Sequence, residues 1–226
     1  MKFSLWLITF ILRIYFRLTL RLDAQGMDTV PMQGPMIIIS NHTGQIEVPV
    51  LATLLQPRKI TGWGKAEAFE NPFLRWVFGA WGIIPVHRGE ADMTALKSAL
   101  RSLKDGLIFG IAPEGTRNYS GKLRRALPGA VTLALHSGAP ILPAAHWGGE
   151  NFMKNFKQLK RTDFHLRMGE PFVIDTKGAK VTAEMRQQIV DEMMVQLALL
   201  LPEEYRGEYT EMCKHETQFI KKQNAG

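Results

Sequence analysis

Short apolar runs alternating with helical segments predict an α/β domain with a largely parallel central sheet flanked by helices, preceded by an amphipathic N-terminal helix. Two observations carry this reading. The runs Met36-Ile37-Ile38-Ile39 and Leu107-Ile108-Phe109-Gly110-Ile111 are short and continuous, as in strands buried on both faces. Segments with helix start and stop signals lie among them, such as 92–104 between Asp92 and Gly106, and the stretch from Pro128 to Gly138. At 226 residues, 46% apolar and 22% charged, the chain can bury one good core and is short for two. One domain over 30–205 is therefore expected, with a helix over 1–22 before it and a tail over 206–226 after it.

The N-terminal helix follows from residues 3–12, which carry no charge, and from Arg13, Arg17 and Arg21 behind them at spacings of four. Phe3, Trp6, Leu7, Phe10, Ile11, Ile14 and Leu18 keep the three-and-four spacing of an apolar stripe. Ten apolar residues fall short of the roughly 20 that cross a bilayer, and Arg-Leu-Asp-Ala-Gln-Gly is a poor signal-peptidase site. Trp6 with spaced arginines suits lipid headgroups better than a protein interior. The expectation is a helix lying in the membrane interface, making the protein peripheral or monotopic at the cytoplasmic face. A helix packed on the protein's own core is the alternative.

The next elements follow in order. Residues 36–39 are a strand, and 46–55 a helix in which Pro49 is tolerated in the first turn. Strands are expected at 59–62 and 82–86, with a short helix after Asn71-Pro72. The helix at 92–104 leads to the strand at 107–111, the helix after Pro128 to a strand at 140–145. The polar stretch 151–163 is a candidate linker, and 164–168 a further strand. Thr182 caps a helix through Leu201, stopped by Pro202, with Met185, Ile189, Met193 and Leu197 on one face.

Composition narrows the chemistry. A net charge of +7 fits nucleic acid, an anionic membrane or phosphorylated substrates, but neither a recognition helix nor aromatic-basic interleaving marks a nucleic-acid binder. The single cysteine, Cys213, excludes an intrachain disulfide and a multi-cysteine metal site. From Gly115 to Gly121-Lys122 the chain resembles a P-loop, yet the spacing is one residue too long and Leu123 stands where Ser or Thr belongs. There is no Gly-x-Ser-x-Gly elbow, and no histidine pair has zinc-ligand spacing. No metal and no bound cofactor are expected.

Three segments remain at the ends of apolar strands, where α/β sheets carry their chemistry. His42 follows the first strand, and Glu47 stands five residues on, in the first turn of a helix. The loop between can fold back so that the carboxylate accepts a hydrogen bond from one ring nitrogen, fixes the tautomer and leaves the other nitrogen to take a proton. Pro113-Glu114-Gly115-Thr116-Arg117 follows the strand at 107–111, and Arg88-Gly89 follows the strand at 82–86. Two arginines at strand ends would form a phosphate clamp.

These segments, with the later Ala139-Pro140-Ile141-Leu142-Pro143, stand in a telling order: His-x4-acid, Gly-x-x-x-Val-x-Arg-Gly over 82–89, Pro-Glu-Gly-Thr-Arg, Ala-Pro-Ile-Leu-Pro. In that order they resemble the glycerophospholipid acyltransferases, and among these the 1-acylglycerol-3-phosphate (lysophosphatidic acid) acyltransferases. The resemblance covers 41–143, about half of the chain. It implies an α/β sandwich with an N-terminal membrane anchor, and an enzyme that moves a fatty acyl group from acyl-CoA or acyl carrier protein to the hydroxyl of a lysophospholipid. It makes His42 the general base and puts Glu47 where the family usually has aspartate, a carboxylate about one bond length farther out. Arg88, Gly89, Glu114, Gly115, Thr116 and Arg117 would bind the acceptor phosphate, and 140–143 would shape the acyl-donor side. The partners implied are membrane lipids, the lysophospholipid and the acyl carrier, with no nucleic acid. The alternatives are an acyltransferase for another glycerolipid acceptor and a membrane-docked, lipid-binding relative with an impaired site.

Overall fold

The computed structural model describes residues 3–86 and 92–223. In chain order the elements begin α1 (Phe3–Thr19), β1 (Leu20–Gln25), β2 (Met36–Ser40), α2 (Glu47–Leu54), β3 (Ile60–Lys65), α3 (Pro72–Trp81), β4 (Ile84–Val86), α4 (Met93–Lys104) and β5 (Ile108–Ile111). They continue with α5 (Gly129–Ser137), β6 (Ile141–Trp147), α6 (Phe152–Lys157), β7 (Thr162–Met168), β8 (Phe172–Ile174), α7 (Ala183–Ala198) and β9 (Ile220–Lys222).

The strands form one sheet with β2 at its centre, paired in parallel with β5 on one side and β6 on the other. β3 and β4 extend the parallel half beyond β5. Beyond β6 the sheet reverses: β7 and β8 run antiparallel to it, β1 lies parallel to β7, and β9 pairs antiparallel with β8. The chain leaves β2 toward β3 and β4, returns to β5, and crosses over β2 to reach β6. The C-terminal end of β2 is therefore the point where strand order reverses, the crevice in which open α/β sheets bind ligands.

Side-chain alternation divides the core into layers. Ile37 and Ile39 point to the face covered by α4, α5 and α7, and Met36 and Ile38 to the face covered by α1, α2 and α6. That is why the run at 36–39 shows no polar alternation: both faces are covered. Local caps set the helix starts: Asn71 accepts from Phe73 and Leu74, Asp92 from Ala95, and Thr182 from Met185. Gly82 ends α3 at φ 66°, a left-handed cap a β-carbon would strain.

Several boundaries differ from the sequence reading. The helix at the N-terminus stops at Thr19, and Leu20–Gln25 is an edge strand, so Arg21 leaves the helical series of Arg13 and Arg17 and pairs with Asp163 at 3.1 Å. The candidate linker 151–163 instead contains α6, whose Phe152 is buried, and the start of β7. α7 ends at Ala198, not Leu201. The segment set apart as a tail is fastened to the domain: Tyr209 is buried, donates to Asp191 and accepts from the Ala126 N–H, while β9 joins the sheet. α1 is apolar on two sides. Leu5, Ile8 and Phe16 are buried against the domain, while Trp6, Phe10, Ile14 and Leu18 are exposed, Leu18 by 69%. No described helix is long and apolar enough to cross a membrane.

Candidate active site

The strand order β6-β2-β5 brings the ends of three strands together, and His42 lies in the loop after the middle one. Glu47 is the first residue of α2, where the helix N-terminus favours a negative charge. Its Oε1 sits 2.6 Å from His42 Nδ1 and accepts the Gly44 N–H at 2.8 Å. Both side chains are shielded, at 16% exposure for His42 and 4% for Glu47. Burial by itself pushes the Glu47 carboxyl up, but the hydrogen bond from His42, the Coulombic effect of the His146 and His42 imidazoles and the Gly44 N–H together outweigh it and hold the pKa at about 2. An ionised Glu47 requires the proton on Nδ1 of a neutral His42, which leaves Nε2 as the acceptor.

The second motif holds the backbone of this histidine. The His42 N–H donates to Glu114 Oε1 at 3.2 Å, and the His42 carbonyl accepts the Asn118 N–H at 2.7 Å. Glu114 is buried, and its Oε2 accepts the Arg124 N–H at 3.2 Å. Burial pushes its pKa up against these two hydrogen bonds. A carboxylate with both oxygens committed to backbone donors is a brace and a poor ligand for a phosphate, so its place differs from the one the resemblance implied.

Gly115 fits its motif for a local reason. It turns the chain at φ 70°, and a β-carbon there would come 2.8 Å from Leu127. Thr116 is half-buried beside it, and Arg117 is exposed, next to the Asn118 that touches His42. Arg88 and Gly89 lie outside the described residues; Val86 just before them lines the cavity described below. The residues 140–143 do not border that cavity. Ile141, Leu142 and Pro143 are buried in β6 beside β2, where they support the sheet.

A third support leaves no mark in the local sequence. Asn41, one residue before His42, donates to the His146 carbonyl at 2.7 Å and accepts the His146 N–H at 3.0 Å. The His146 ring returns a bond, its Nε2 lying 2.7 Å from the Asn41 carbonyl oxygen. Burial pushes the pKa of this imidazole down, and because a carbonyl oxygen can only accept, its Nε2–H donates. Every flank of His42 is thus tied to a neighbouring strand end.

An apolar cavity of about 330 Å³ opens beside His42 and Glu47. Leu51, Trp63, Trp81 and Ile83 give it bulk, and Gly62 and Gly110 give it backbone walls. These two glycines face each other across β3 and β5, where a β-carbon on Gly62 would come 2.6 Å from the Gly110 carbonyl oxygen. No group of metal-ligating side chains occurs among the described residues. The arrangement can remove a proton at the wall of a largely apolar cavity.

The profile of the family described as Acyltransferase matches residues 21–147. A 1-acyl-sn-glycerol-3-phosphate acyltransferase of Bacillus subtilis is 32% identical over 145 residues, 64% of this chain and 70% of the relative. One from Pseudomonas aeruginosa is 26% identical over 87% of this chain and 76% of the relative. A chloroplastic one from Brassica napus is 27% identical over 76% of this chain, which spans only 50% of that relative's length. The crystal structure of the 1-acyl-sn-glycerophosphate acyltransferase PlsC from Thermotoga maritima matches the fold with a TM-score of 0.64, at 22% identity over 84% of this chain and 76% of that one. The matched segment covers more than half of the chain and contains His42, Glu47 and the 113–117 turn, and on that ground the chain belongs to the Acyltransferase family.

Proposed function

We propose that the protein transfers a fatty acyl group from an acyl thioester to the free hydroxyl of 1-acylglycerol 3-phosphate, giving phosphatidic acid. The observation that carries this is the His42–Glu47 pair at 2.6 Å, set in the wall of an apolar cavity. Nε2 of His42 takes the proton of the acceptor hydroxyl, whose oxygen attacks the thioester carbonyl. The tetrahedral intermediate collapses with release of the thiolate, and the imidazolium returns the proton to sulfur. Glu47 stabilises that imidazolium. No acyl-enzyme forms, and the acyl chain lies in the cavity. The donor is acyl-CoA or acyl carrier protein. Arg117, with Arg88 and Gly89, binds the acceptor phosphate, and Thr116 and Gly115 shape the turn beneath it. The exposed apolar side of α1 rests on the cytoplasmic membrane surface, where both lipids reside.

Purified protein assayed against a panel of lysolipids, with acyl-CoA and acyl carrier protein in parallel, tests the reading. Lysophosphatidic acid should be the best acceptor, and His42→Ala should lower turnover by about 10²–10⁴-fold in a folded protein. Turnover of no lysolipid with either donor would refute it.

A further inference from the structure

A second cavity, of about 290 Å³, lies on the other side of α2 from His42. Glu47, Val48, Leu51 and Ala52 of that helix face the first cavity, and Val50, Thr53 and Leu54 face the second. Three arginines border the second: Arg13 and Arg17, one turn apart on α1, and Arg161 at the entry to β7. Among the described residues no carboxylate lines it. Arg13 and Arg17 form no ion pair among the described residues. Arg161 is anchored, its Nε and a terminal nitrogen donating to the Leu20 carbonyl at 3.1 and 2.5 Å, which leaves the remaining N–H groups to a ligand. Three like charges around one concavity repel one another, and a bound anion offsets that repulsion by attracting all three.

The rest of the wall says which anion. Phe16, Leu20 and Leu22 make it apolar. Ile14 and Leu18 stand exposed on the same helix as the two arginines and continue the stripe of Trp6 and Phe10. A free phosphate has no use for such a rim, whereas a phospholipid needs both parts.

We propose that this cavity binds the phosphate of an anionic phospholipid, with the lipid's chains passing over Leu18 and Leu22 into the bilayer. It docks α1 at a defined depth and is separate from the acceptor-phosphate site. The proposal rests on the membrane part of the reading above and not on acyl transfer, so activity is not its readout.

The test uses the full chain and its R13Q, R17Q, R161Q and R21Q variants, with vesicles of phosphatidylcholine alone or doped with phosphatidylglycerol. R21Q removes the same charge from outside the cavity, at the arginine paired with Asp163. R13Q and R17Q remove no side-chain hydrogen bond or ion pair found among the described residues, which covers the case that R161Q destabilises β1. Each cavity variant should bind doped vesicles about fivefold to tenfold more weakly, R21Q within about twofold of the wild type, and all should bind neutral vesicles alike. Soluble short-chain phosphatidylglycerol should compete for the site, and inorganic phosphate at the same concentration should not. An equal loss in R21Q would mean diffuse attraction by net charge and would overturn the site. Equal competition by inorganic phosphate would make it a free-anion site and overturn the lipid assignment. Wild-type protein that ignores every vesicle would sink the docking proposal together with the membrane reading, while acyl transfer to dispersed lysolipid could still be measured.

Discussion

Two buried carboxylates flank His42, and their surroundings push them in opposite directions. Glu47 is held ionised, with a pKa of about 2, by the His42 ring, by His146 and by the Gly44 N–H, while burial pushes Glu114 up. The first acts on the imidazole and the second only on the backbone that carries it, so their variants should separate kinetically. Glu114→Gln places an amide NH₂ against one of two backbone N–H donors. It should lower kcat about tenfold, with the acceptor KM nearly unchanged. Arg117→Ala should instead raise the acceptor KM by about one to two orders of magnitude. An acceptor KM that rose in Glu114→Gln as well would return Glu114 to the phosphate site. Glu47 also links stability to pH. Its folded pKa lies below the usual value of 4.5, so its contribution is complete above about 4.5 and disappears as pH falls toward 2. Urea melts of wild type and Glu47→Gln should differ by up to about 3 kcal/mol at pH 7. The gap should narrow steadily between pH 4.5 and pH 2. A gap that stayed constant with pH would show that the wild-type carboxylate is not held ionised by the fold.

At the scale of elements, α1 joins a structural role to the proposed docking role. Leu5, Ile8 and Phe16 complete the core over α2 and α3, so removing the helix would expose those residues' partners and confuse anchoring with folding. Its exposed side can be changed alone. Replacing Trp6, Phe10, Ile14 and Leu18 with Gln and Ser should leave the thermal midpoint within a few degrees and abolish most vesicle binding, because the buried side is untouched. Unchanged vesicle binding would assign docking to another surface. The helix was legible because its apolar spacing is strong, but its end was not. Arg21 continues the four-residue spacing of Arg13 and Arg17, while β1 earns its place only through pairing with β7, which lies 142 residues away at the Arg21–Asp163 contact.

Over the whole molecule, the sequence showed what is local. The strand at 36–39, the capped helices and the His42–Glu47 spacing each lie within one short window. The supports of His42 do not. Glu114 reaches it across 72 residues through a side-chain-to-backbone bond, and His146 reaches Asn41 across 105. Such bonds leave no periodic trace, and only the order of β6, β2 and β5 brings them together. The same order accounts for the proposed chemistry, because it puts one histidine, its carboxylate and an apolar cavity at the reversal point of the sheet. In the proposed mechanism this histidine works through the charge of Glu47. Its most direct test is the rate of phosphatidic acid formation from lysophosphatidic acid and the better acyl donor, measured side by side for wild type, Glu47→Asp and Glu47→Gln. The aspartate variant should stay within about tenfold of wild type, a barrier change of roughly 1.4 kcal/mol. The glutamine variant, similar in size but uncharged, should fall by about 10²-fold or more. Full activity in Glu47→Gln would rule out a role for that charge in proton transfer.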